Sequence, residues 1–306
     1  MKGAYIAIGY MCNEHCSFCP CSDGLKHECV MFPTSELIDR IEKLKCLGIE
    51  RLTISGGEPT LHKDFIDIIA YTQNIGLEVF VLSNSERFCD KDFVGDMSSK
   101  VDMKKLRLIT TLHSQTAAEH EKANCTSGSY KRTIGGLDNM IAEGVDVTIK
   151  HCITKSNYKE LFDFYVYYDK RFPESVDIQL CSIDYCGIDK ELLEQHMLTF
   201  TELRPYLEQM FDMHIKREQE GSKRKIYCIN MPLCSADVFY WRFMTLKNKS
   251  FYERYIDPVH KDIQAAEEMT EAQRAACGDC KVRHLCPGTY KTAFEYFGKK
   301  LIKPYK

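Results

Sequence analysis

Apolar positions along the chain follow two alternating periods. Residues Ala4–Tyr10 form a mostly apolar run typical of a buried strand, and apolar residues at helical spacing follow between a capping Thr34 and Gly48. Further strands are predicted at about 51–55, 77–83, 106–113, 145–153 and 176–182, and helices at about 62–75, 89–100, 130–143 and 158–170. Because strands and helices alternate at this spacing, the pattern predicts an α/β fold of parallel β-α units, with six strands in a partial barrel.

The inner face of the predicted barrel is polar. In the fifth strand Val147 and Ile149 fall on the face toward the helices, so the intervening residues face inward. The inward residues of the strands are Arg51, Thr53, Ser55, Arg107, Thr111, His113, Asp146, Thr148, Lys150, Cys152, Asp177, Gln179 and Cys181. A closed barrel fills its interior with branched apolar side chains. We therefore expect an open barrel with a wet, ligand-holding cavity, unless short strands have their faces reversed.

The repeat stops after Cys181. Residues 189–219 predict one or two helices with Pro205 as a possible break, and the charged stretch Lys216–Lys225 predicts a solvated linker. A strand is predicted at Ile226–Ile229. The expected domains are therefore a barrel at residues 1–187, a helical linker at 188–225 and a small C-terminal domain at 226–306.

Composition narrows the expected partners. With 41 Lys and Arg against 44 Asp and Glu, the chain has no basic field that would favour nucleic acid or an anionic membrane, so a small or peptidic substrate fits better. No signal peptide and no apolar run of about 20 residues is present, which predicts a cytoplasmic protein. In that compartment 16 cysteines indicate metal ligation and reactive thiols rather than disulfides.

The central motif is Cys12, Cys16 and Cys19, directly after the first strand. Three thiolates ligate three irons of a 4Fe-4S cluster and leave the fourth open, so that it can chelate a ligand and pass it one electron. The C-x-x-x-C-x-x-C spacing, with Phe18 before the third cysteine, resembles the signature of radical S-adenosylmethionine (SAM) enzymes. In that family the open iron binds the amino and carboxylate groups of SAM. The resemblance implies reductive cleavage of SAM to methionine and a 5'-deoxyadenosyl radical.

Other motifs of this family also have counterparts here. Residues 56–59 resemble its Gly-Gly-Glu-Pro motif, which holds the methionine amino group, and glycines suit a backbone that approaches a ligand closely. Residues 83–85, Ser-Asn-Ser, stand where relatives often carry Thr-Asn-Gly. Thr111 and Lys150 are further candidates, with hydrogen bonding inside the barrel as the alternative. The predicted SAM contacts are Gly56, Gly57, Glu58, Pro59, Ser83, Asn84, Thr111 and Lys150.

A second cysteine set lies near the C-terminus. Cys277, Cys280 and Cys286, with Cys234 upstream, supply four thiolates, enough for a zinc site or a closed cluster. Beside a radical SAM core they resemble the SPASM and twitch extensions that bind an auxiliary 4Fe-4S cluster, most closely those of His-Xaa-Ser peptide maturases. Cys228 is the rival fourth ligand, but it lies in a predicted strand.

Nine cysteines remain, and most are expected to be inert because unpaired cysteine behaves as a small apolar residue. They are Cys21, Cys29, Cys46, Cys89, Cys125, Cys152, Cys181, Cys186 and Cys228. A thiol can donate a hydrogen atom to a carbon radical, so the candidates with a catalytic role are Cys125, Cys152 and Cys181.

The leading hypothesis is a radical SAM enzyme with two 4Fe-4S clusters that modifies a ribosomally synthesised precursor peptide by crosslinking, thioether formation or epimerisation. It would draw electrons from a flavodoxin or ferredoxin and require anaerobic handling. The alternatives are a small-molecule dehydrogenase or rearrangement enzyme of the twitch type, and a non-catalytic iron-sulfur sensor. The intact SAM-binding groups disfavour a sensor.

Overall fold

One nine-stranded sheet is the framework of the molecule. The computed structural model describes residues 2–19, 30–183, 190–246, 254–256, 264–265 and 276–306, so Cys21, Cys29 and Cys186 lie outside the described residues. The strands are β1 (Gly3–Ala7), β2 (Arg51–Ser55), β3 (Glu78–Ser83), β4 (Leu106–Thr111), β5 (Asp146–Ile153), β6 (Asp177–Ser182), β7 (Ile226–Ile229), β8 (Arg254–Ile256) and β9 (Gln264–Ala265).

The strand order is β7-β6-β5-β4-β3-β2-β1-β8-β9. Neighbouring strands from β7 to β8 pair in parallel, and only β9 runs antiparallel to its neighbour. Strands β1 to β7 thus follow one another in space as they do in sequence, in a sheet that is curled but not closed. The predicted α/β partial barrel is confirmed.

Helices cover the outer face of the sheet. They are α1 (Thr34–Cys46), α2 (Phe65–Asn74), α3 (Lys91–Lys100), α4 (Ala117–Asn124), α5 (Ser129–Ala142), α6 (Leu161–Arg171), α7 (Lys190–His196), α8 (Phe200–Gln219) and α9 (Lys291–Phe297). Apolar side chains of α1, α2, α5, α6 and α8 join those of the strands in one buried core. Among the described residues, no helix is long and apolar enough to cross a membrane.

Two helix boundaries differ from the prediction. Thr34 is the first residue of α1 rather than its cap, and its hydroxyl donates a hydrogen bond to Asp64. The break among residues 189–219 falls between α7 and α8, and α8 runs through Pro205 without interruption. A capping box formed by Thr199 and Glu202 starts α8.

The barrel layer extends beyond residue 187. Leu207, Met210 and Phe211 of α8 are buried in the same core as the barrel strands. Strand β7, assigned from sequence to the C-terminal domain, pairs with β6. Strand β7 thus extends the sheet at one edge, and β8 and β9 extend it at the other.

The inner face of the sheet is built of polar rows. Strand register sets Arg107 beside Asp146, where the two side chains form an ion pair. The guanidinium groups of Arg51 and Arg107 lie over the ring of Phe80. Further toward the carboxyl ends, register sets Thr111 beside Lys150, Lys150 beside Gln179, and Cys152 beside Cys181.

Candidate active site at the carboxyl end of the sheet

The cysteine loop, residues 12–19, follows β1 at the carboxyl end of the sheet. Cys12, Cys16 and Cys19 are partly exposed. The Glu14 N–H donates to the Cys12 sulfur at 3.4 Å, and the Cys19 N–H donates to the Cys16 carbonyl at 3.2 Å. Active sites of parallel barrels lie at this end of the strands, so the loop stands where a reacting ligand can enter.

Helix α4, which the sequence analysis did not predict, holds the cysteine loop. The N–H groups of His15 and Ser17 donate to the carbonyls of Asn124 and Ala123, at 2.9 and 3.3 Å. The buried Asn124 amide also donates to the Glu14 carboxylate at 2.8 Å. The C-terminal end of α4 therefore fixes both the backbone and one side chain of the loop.

Glu14 lies between the first two cysteines, with its carboxyl group buried against Glu86. Burial, followed by the charges of Glu86 and Glu58, raises the pKa of Glu14 to about 8. Glu86 in turn is paired with Arg132. Glu14 of the loop thus lies against a carboxylate from the segment after β3 whose charge Arg132 offsets.

The glycine pair after β2 packs against the chain that leads into the cysteine loop. A Cβ on Gly56 would meet the Gly9 carbonyl oxygen at 2.1 Å, and one on Gly57 would meet that of Met11 at 2.3 Å. The N–H groups of Gly57 and Glu58 donate to these same two carbonyls. We expected the glycines to allow approach to a ligand; in the structure they allow β2 to contact the loop segment itself.

Glu58 is buried and its carboxylate is fully engaged. It accepts hydrogen bonds from the Thr60 backbone and hydroxyl, at 3.0 and 2.6 Å, and from the Ser83 hydroxyl and the Asn84 N–H, both at 2.8 Å. Burial raises the pKa of Glu58, although these hydrogen bonds oppose the shift. Pro59 begins a short 3-10 helix that Glu58 caps. Glu58 thus ties the end of β2 to the end of β3.

The turn after β3 is tight although a serine occupies its left-handed position. Ser85 adopts φ 65°, a left-handed conformation, and its N–H donates to the Ser83 hydroxyl at 2.9 Å. The Asn84 side chain donates to Asn13 of the cysteine loop at 2.9 Å. Serine in place of glycine therefore preserves the turn, which also positions the loop.

The two remaining SAM candidates share the inner face. Thr111 and Lys150 are neighbours in register on β4 and β5, and both are partly exposed there. Their placement near the carboxyl ends is compatible with contact to a ligand held by the cysteine loop.

The three hydrogen-donor candidates separate into two groups. Cys152 and Cys181 are buried side by side on the inner face, and their thiols are hydrogen-bonded to each other. The Asn230 amide contacts the Cys181 sulfur at 3.5 Å. Cys125 is instead exposed just beyond α4, where its thiol bonds the Lys122 carbonyl, so the structure does not bring it into the barrel.

Four cysteines of the C-terminal part line one pocket, together with apolar residues such as Leu233 and Phe294. They are Cys234, Cys277, Cys280 and Cys286. The Cys286 sulfur accepts N–H bonds from Leu233 and Gly288, at 3.3 and 3.4 Å. Cys228 is buried on β7 in register with Leu180 of the apolar core, so it faces the helices and not this cavity.

Sulfur spacing distinguishes a cluster from a single ion. Thiolates around one zinc lie about 3.8 Å apart, given Zn–S bonds of about 2.3 Å in a tetrahedron. In the part of the chain that the structure describes, the one group of three metal-binding side chains within 4.8 Å of one another is Glu14, Cys16 and His113. Neither cysteine set is that compact. Wider spacing fits thiolates that each bind a different iron.

His113 completes the surroundings of the cysteine loop. Its ring packs edge-on against Phe18 at 5.3 Å, and its N–H group of the main chain donates to His120. Burial, followed by the charge of His120, lowers the pKa of His113 well below its usual range.

Comparison with known proteins places these features in a family. A model of the radical SAM superfamily matches residues 6–165, slightly more than half of the chain. The chain belongs to the radical SAM superfamily, which implies a 4Fe-4S cluster and SAM as cofactors.

Curated relatives include a probable GTP 3',8-cyclase of Saccharolobus islandicus, 23% identical over 161 residues, or 52% of this chain and 50% of the relative. The GTP 3',8-cyclase of Klebsiella pneumoniae is 22% identical over 229 residues, or 73% and 67%. The chain thus spans about half the length of the first of these relatives.

Two solved structures share the fold. Streptococcus suis SuiB superposes with a TM-score of 0.58 at 17% identity, covering 74% of this chain and 49% of SuiB. The enzyme anSMEcpe with bound AdoMet gives a TM-score of 0.59 at 13% identity, covering 73% and 61%. At these identities the similarity concerns the fold alone.

Sequence reasoning did not find Glu14, Asn124 or His113 as site residues. Glu14 lies within the cysteine motif, and His113 was predicted to lie on the inner face. Position was therefore the sequence signal that could have indicated a role for each in the site. Asn124 had none, because it lies 110 residues from Glu14 and in a helix that was not predicted.

Proposed function

We propose that this chain is a radical SAM enzyme that modifies a residue of a ribosomally synthesised peptide. The observation that carries the proposal is the convergence of the cysteine loop, the Gly56–Gly57 edge and Lys150 at the carboxyl end of one parallel sheet. Bound to the cluster, SAM supplies on reductive cleavage a carbon radical able to abstract hydrogen from an unactivated C–H bond.

The residues of the chain divide this task. Cys12, Cys16 and Cys19 would hold the cluster, in a loop whose position is fixed by α4, Asn84 and the glycine pair. Thr111 and Lys150 would contact SAM from the inner face, where the lysine ammonium can bind its carboxylate. Glu58 would act indirectly. Its carboxylate already accepts four hydrogen bonds, so it holds the ends of β2 and β3 together beside the site.

We further propose an auxiliary 4Fe-4S cluster held by Cys234, Cys277, Cys280 and Cys286. All four line one pocket, and no three of their sulfurs lie within 4.8 Å of one another, a spacing that favours a cluster over a single zinc ion. Two N–H bonds to the Cys286 sulfur would stabilise the charge of a thiolate ligand. Such a cluster would accept the electron released on product formation or position the substrate.

A peptide substrate is supported by the shape and polarity of the barrel. Its inner face is polar and carries the partly exposed Lys150 near the carboxyl ends of the strands, so a side chain could enter there while the peptide backbone lies across the mouth. The structural neighbours include SuiB bound to precursor peptide SuiA and anSMEcpe with bound AdoMet and the Kp18Cys peptide. A flavodoxin or ferredoxin is the proposed electron donor.

A small-molecule substrate is the second candidate, because the curated relatives are named GTP 3',8-cyclases. The charges on the inner face help to distinguish a triphosphate substrate from a peptide. Arg107 is neutralised by Asp146, and Arg51 lies over an aromatic ring near the opposite end of the strands from the cysteine loop. These arginines give no obvious triphosphate site beside the loop.

The buried thiols favour a reaction in which a hydrogen atom is finally donated to the substrate radical. We propose Cys152 or Cys181 as the hydrogen-atom donor to a substrate radical, in preference to Cys125, which lies outside the barrel. A neutral thiol is the form that donates a hydrogen atom, and burial together with the mutual hydrogen bond raises the pKa of Cys152 well above its usual range.

The test uses the anaerobic holoenzyme with SAM, reductant and the peptide encoded by a short reading frame beside the gene. We expect a mass change in the full-length peptide and lower turnover with truncated peptides, because remote contacts contribute to the transition state. Solvent deuterium in the product would identify thiol-mediated hydrogen return. GTP is the comparison substrate; turnover of GTP beside an inert peptide would favour the small-molecule reading.

A further inference from the structure

His113 lies two residues beyond β4, against the cysteine loop. A nitrogen of its ring, the Cys16 sulfur and a Glu14 carboxylate oxygen lie within 4.8 Å of one another. The side chain is 4% exposed, and Phe18 packs against the ring and fixes its position. The imidazole is therefore held next to a predicted cluster ligand by apolar packing.

One nitrogen of this imidazole makes no hydrogen bond. Its Nδ1 atom is buried without a hydrogen-bond partner among the residues that the structure describes. A buried polar nitrogen left unpaired costs about 1–3 kcal/mol, and such groups are uncommon in native proteins. Glu14 differs, because its carboxyl group already bonds Asn124 and Glu86.

A bound cluster would supply the missing partner. The thiol of Cys16 is only a weak acceptor, whereas a metal-bound thiolate or a sulfide of the cluster carries negative charge. An imidazole has at least one N–H to donate in either protonation state. A ring beside Cys16 that has an unpaired nitrogen thus fits the cofactor that the family implies.

We propose that His113 donates a hydrogen bond to the Cys16 thiolate or an adjacent cluster sulfide and thereby raises the reduction potential of the SAM-binding cluster. The inference rests on the proposed function, since it takes Cys16 as a ligand. A donor at this position stabilises the additional negative charge of the reduced cluster more than that of the oxidised one. His113 is a positioning residue that acts through Cys16.

The test is a redox titration of the anaerobic holoenzyme, followed by the EPR signal that SAM perturbs. The His113→Phe variant keeps the packing against Phe18 and removes the N–H, so we expect a more negative potential, by about tenfold in the reduction equilibrium constant, or 59 mV for one electron. His113→Asn retains an N–H near the Nδ1 position and should recover much of the wild-type potential.

His151→Phe is the matched control. His151 is an equally buried imidazole that also has one unpaired nitrogen, Nε2, but its Nδ1 bonds the Leu112 carbonyl and its ring packs on Phe164, so its loss should leave the potential unchanged. An unchanged potential in His113→Phe protein with full iron content would overturn the inference. Wild-type protein that binds no cluster at Cys12, Cys16 and Cys19 would instead overturn the proposed function.

A second measurement applies if His113→Phe does not retain the cluster. Pulsed EPR on reduced wild-type holoenzyme labelled with ¹⁵N-histidine should detect a nitrogen coupled to the SAM-perturbed cluster. The coupling should persist in His151→Phe protein and be lost in His113→Asn protein, which still has a donor but no histidine nitrogen. Absence of the coupling in the wild type would contradict the hydrogen bond.

Discussion

Cys228 and Cys234 are six residues apart but lie in different surroundings. Cys234 lines the cavity formed with Cys277, Cys280 and Cys286, whereas Cys228 faces the helices from β7. Loss of one of four thiolates leaves an open iron, so reduced Cys234→Ala holoenzyme should bind cyanide or an exogenous thiol and change its EPR spectrum.

The matched variant is Cys228→Ala, which removes a buried thiol from the apolar core. It should lose some stability and show no response to cyanide. A cyanide response in Cys228→Ala protein, with none in Cys234→Ala protein, would reverse the ligand assignment.

The contacts of single residues could not be predicted from the sequence. The motif singled out Glu58, but not that its carboxylate would be occupied by Thr60, Ser83 and Asn84. Ser83 lies 25 residues away, and its proximity depends on the pairing of β2 with β3. A buried carboxylate requires donors, yet sequence alone does not say which ones approach it.

Helix α4 provides the test at the scale of elements. Asn124→Ala removes the amide that binds Glu14 and leaves that buried carboxyl group with fewer partners, a loss of about 1–3 kcal/mol. Because the same helix end holds the cysteine loop, we expect several-fold faster iron release from the loop in a chelator challenge of the anaerobic holoenzyme.

Asn139→Ala serves as the control for this variant. Asn139 of α5 also donates from its amide to main-chain carbonyls, those of Phe88 and Cys89, but contacts no residue of the loop. Iron release should remain at the wild-type rate. Equal acceleration in the two variants would mean that general destabilisation, and not the contact between α4 and the cysteine loop, governs the loss of iron.

Elements with strong periodicity were predictable, and short ones were not. Strands β2 to β6 and the helices between them follow the apolar pattern closely, because each buries one continuous face. Helix α4 has eight residues with few apolar ones, and β8 and β9 have three and two residues. Their positions depend on tertiary contacts that no local pattern encodes.

The sequence predicted a possible break at Pro205, but α8 continues through this residue. Pro205 removes one main-chain hydrogen bond and normally disfavours a helix interior. Here Pro205 lies near the start of a 20-residue helix that begins with a capping box and is buried along one side. Tertiary packing of Leu207 and Phe211 outweighs the local cost.

At the scale of the whole molecule, strand order follows from the repetition of β-α units, since sequential parallel strands joined by crossover helices usually lie side by side. The alternation of polar residues also predicted the rows on the inner face, such as Thr111 beside Lys150. It did not predict that the sheet would continue through β7 and β8, because these strands join opposite edges after long connections.

The most direct test of the account measures SAM cleavage and iron content together. Anaerobically reconstituted wild-type protein should hold about eight irons per chain in two clusters and produce 5'-deoxyadenosine. Protein with Cys12, Cys16 and Cys19 all replaced by Ala should keep about four irons and produce none. Replacement of the exposed Cys46 and Cys89 by Ala should change neither value. Formation of 5'-deoxyadenosine by the triple variant would contradict the central assignment.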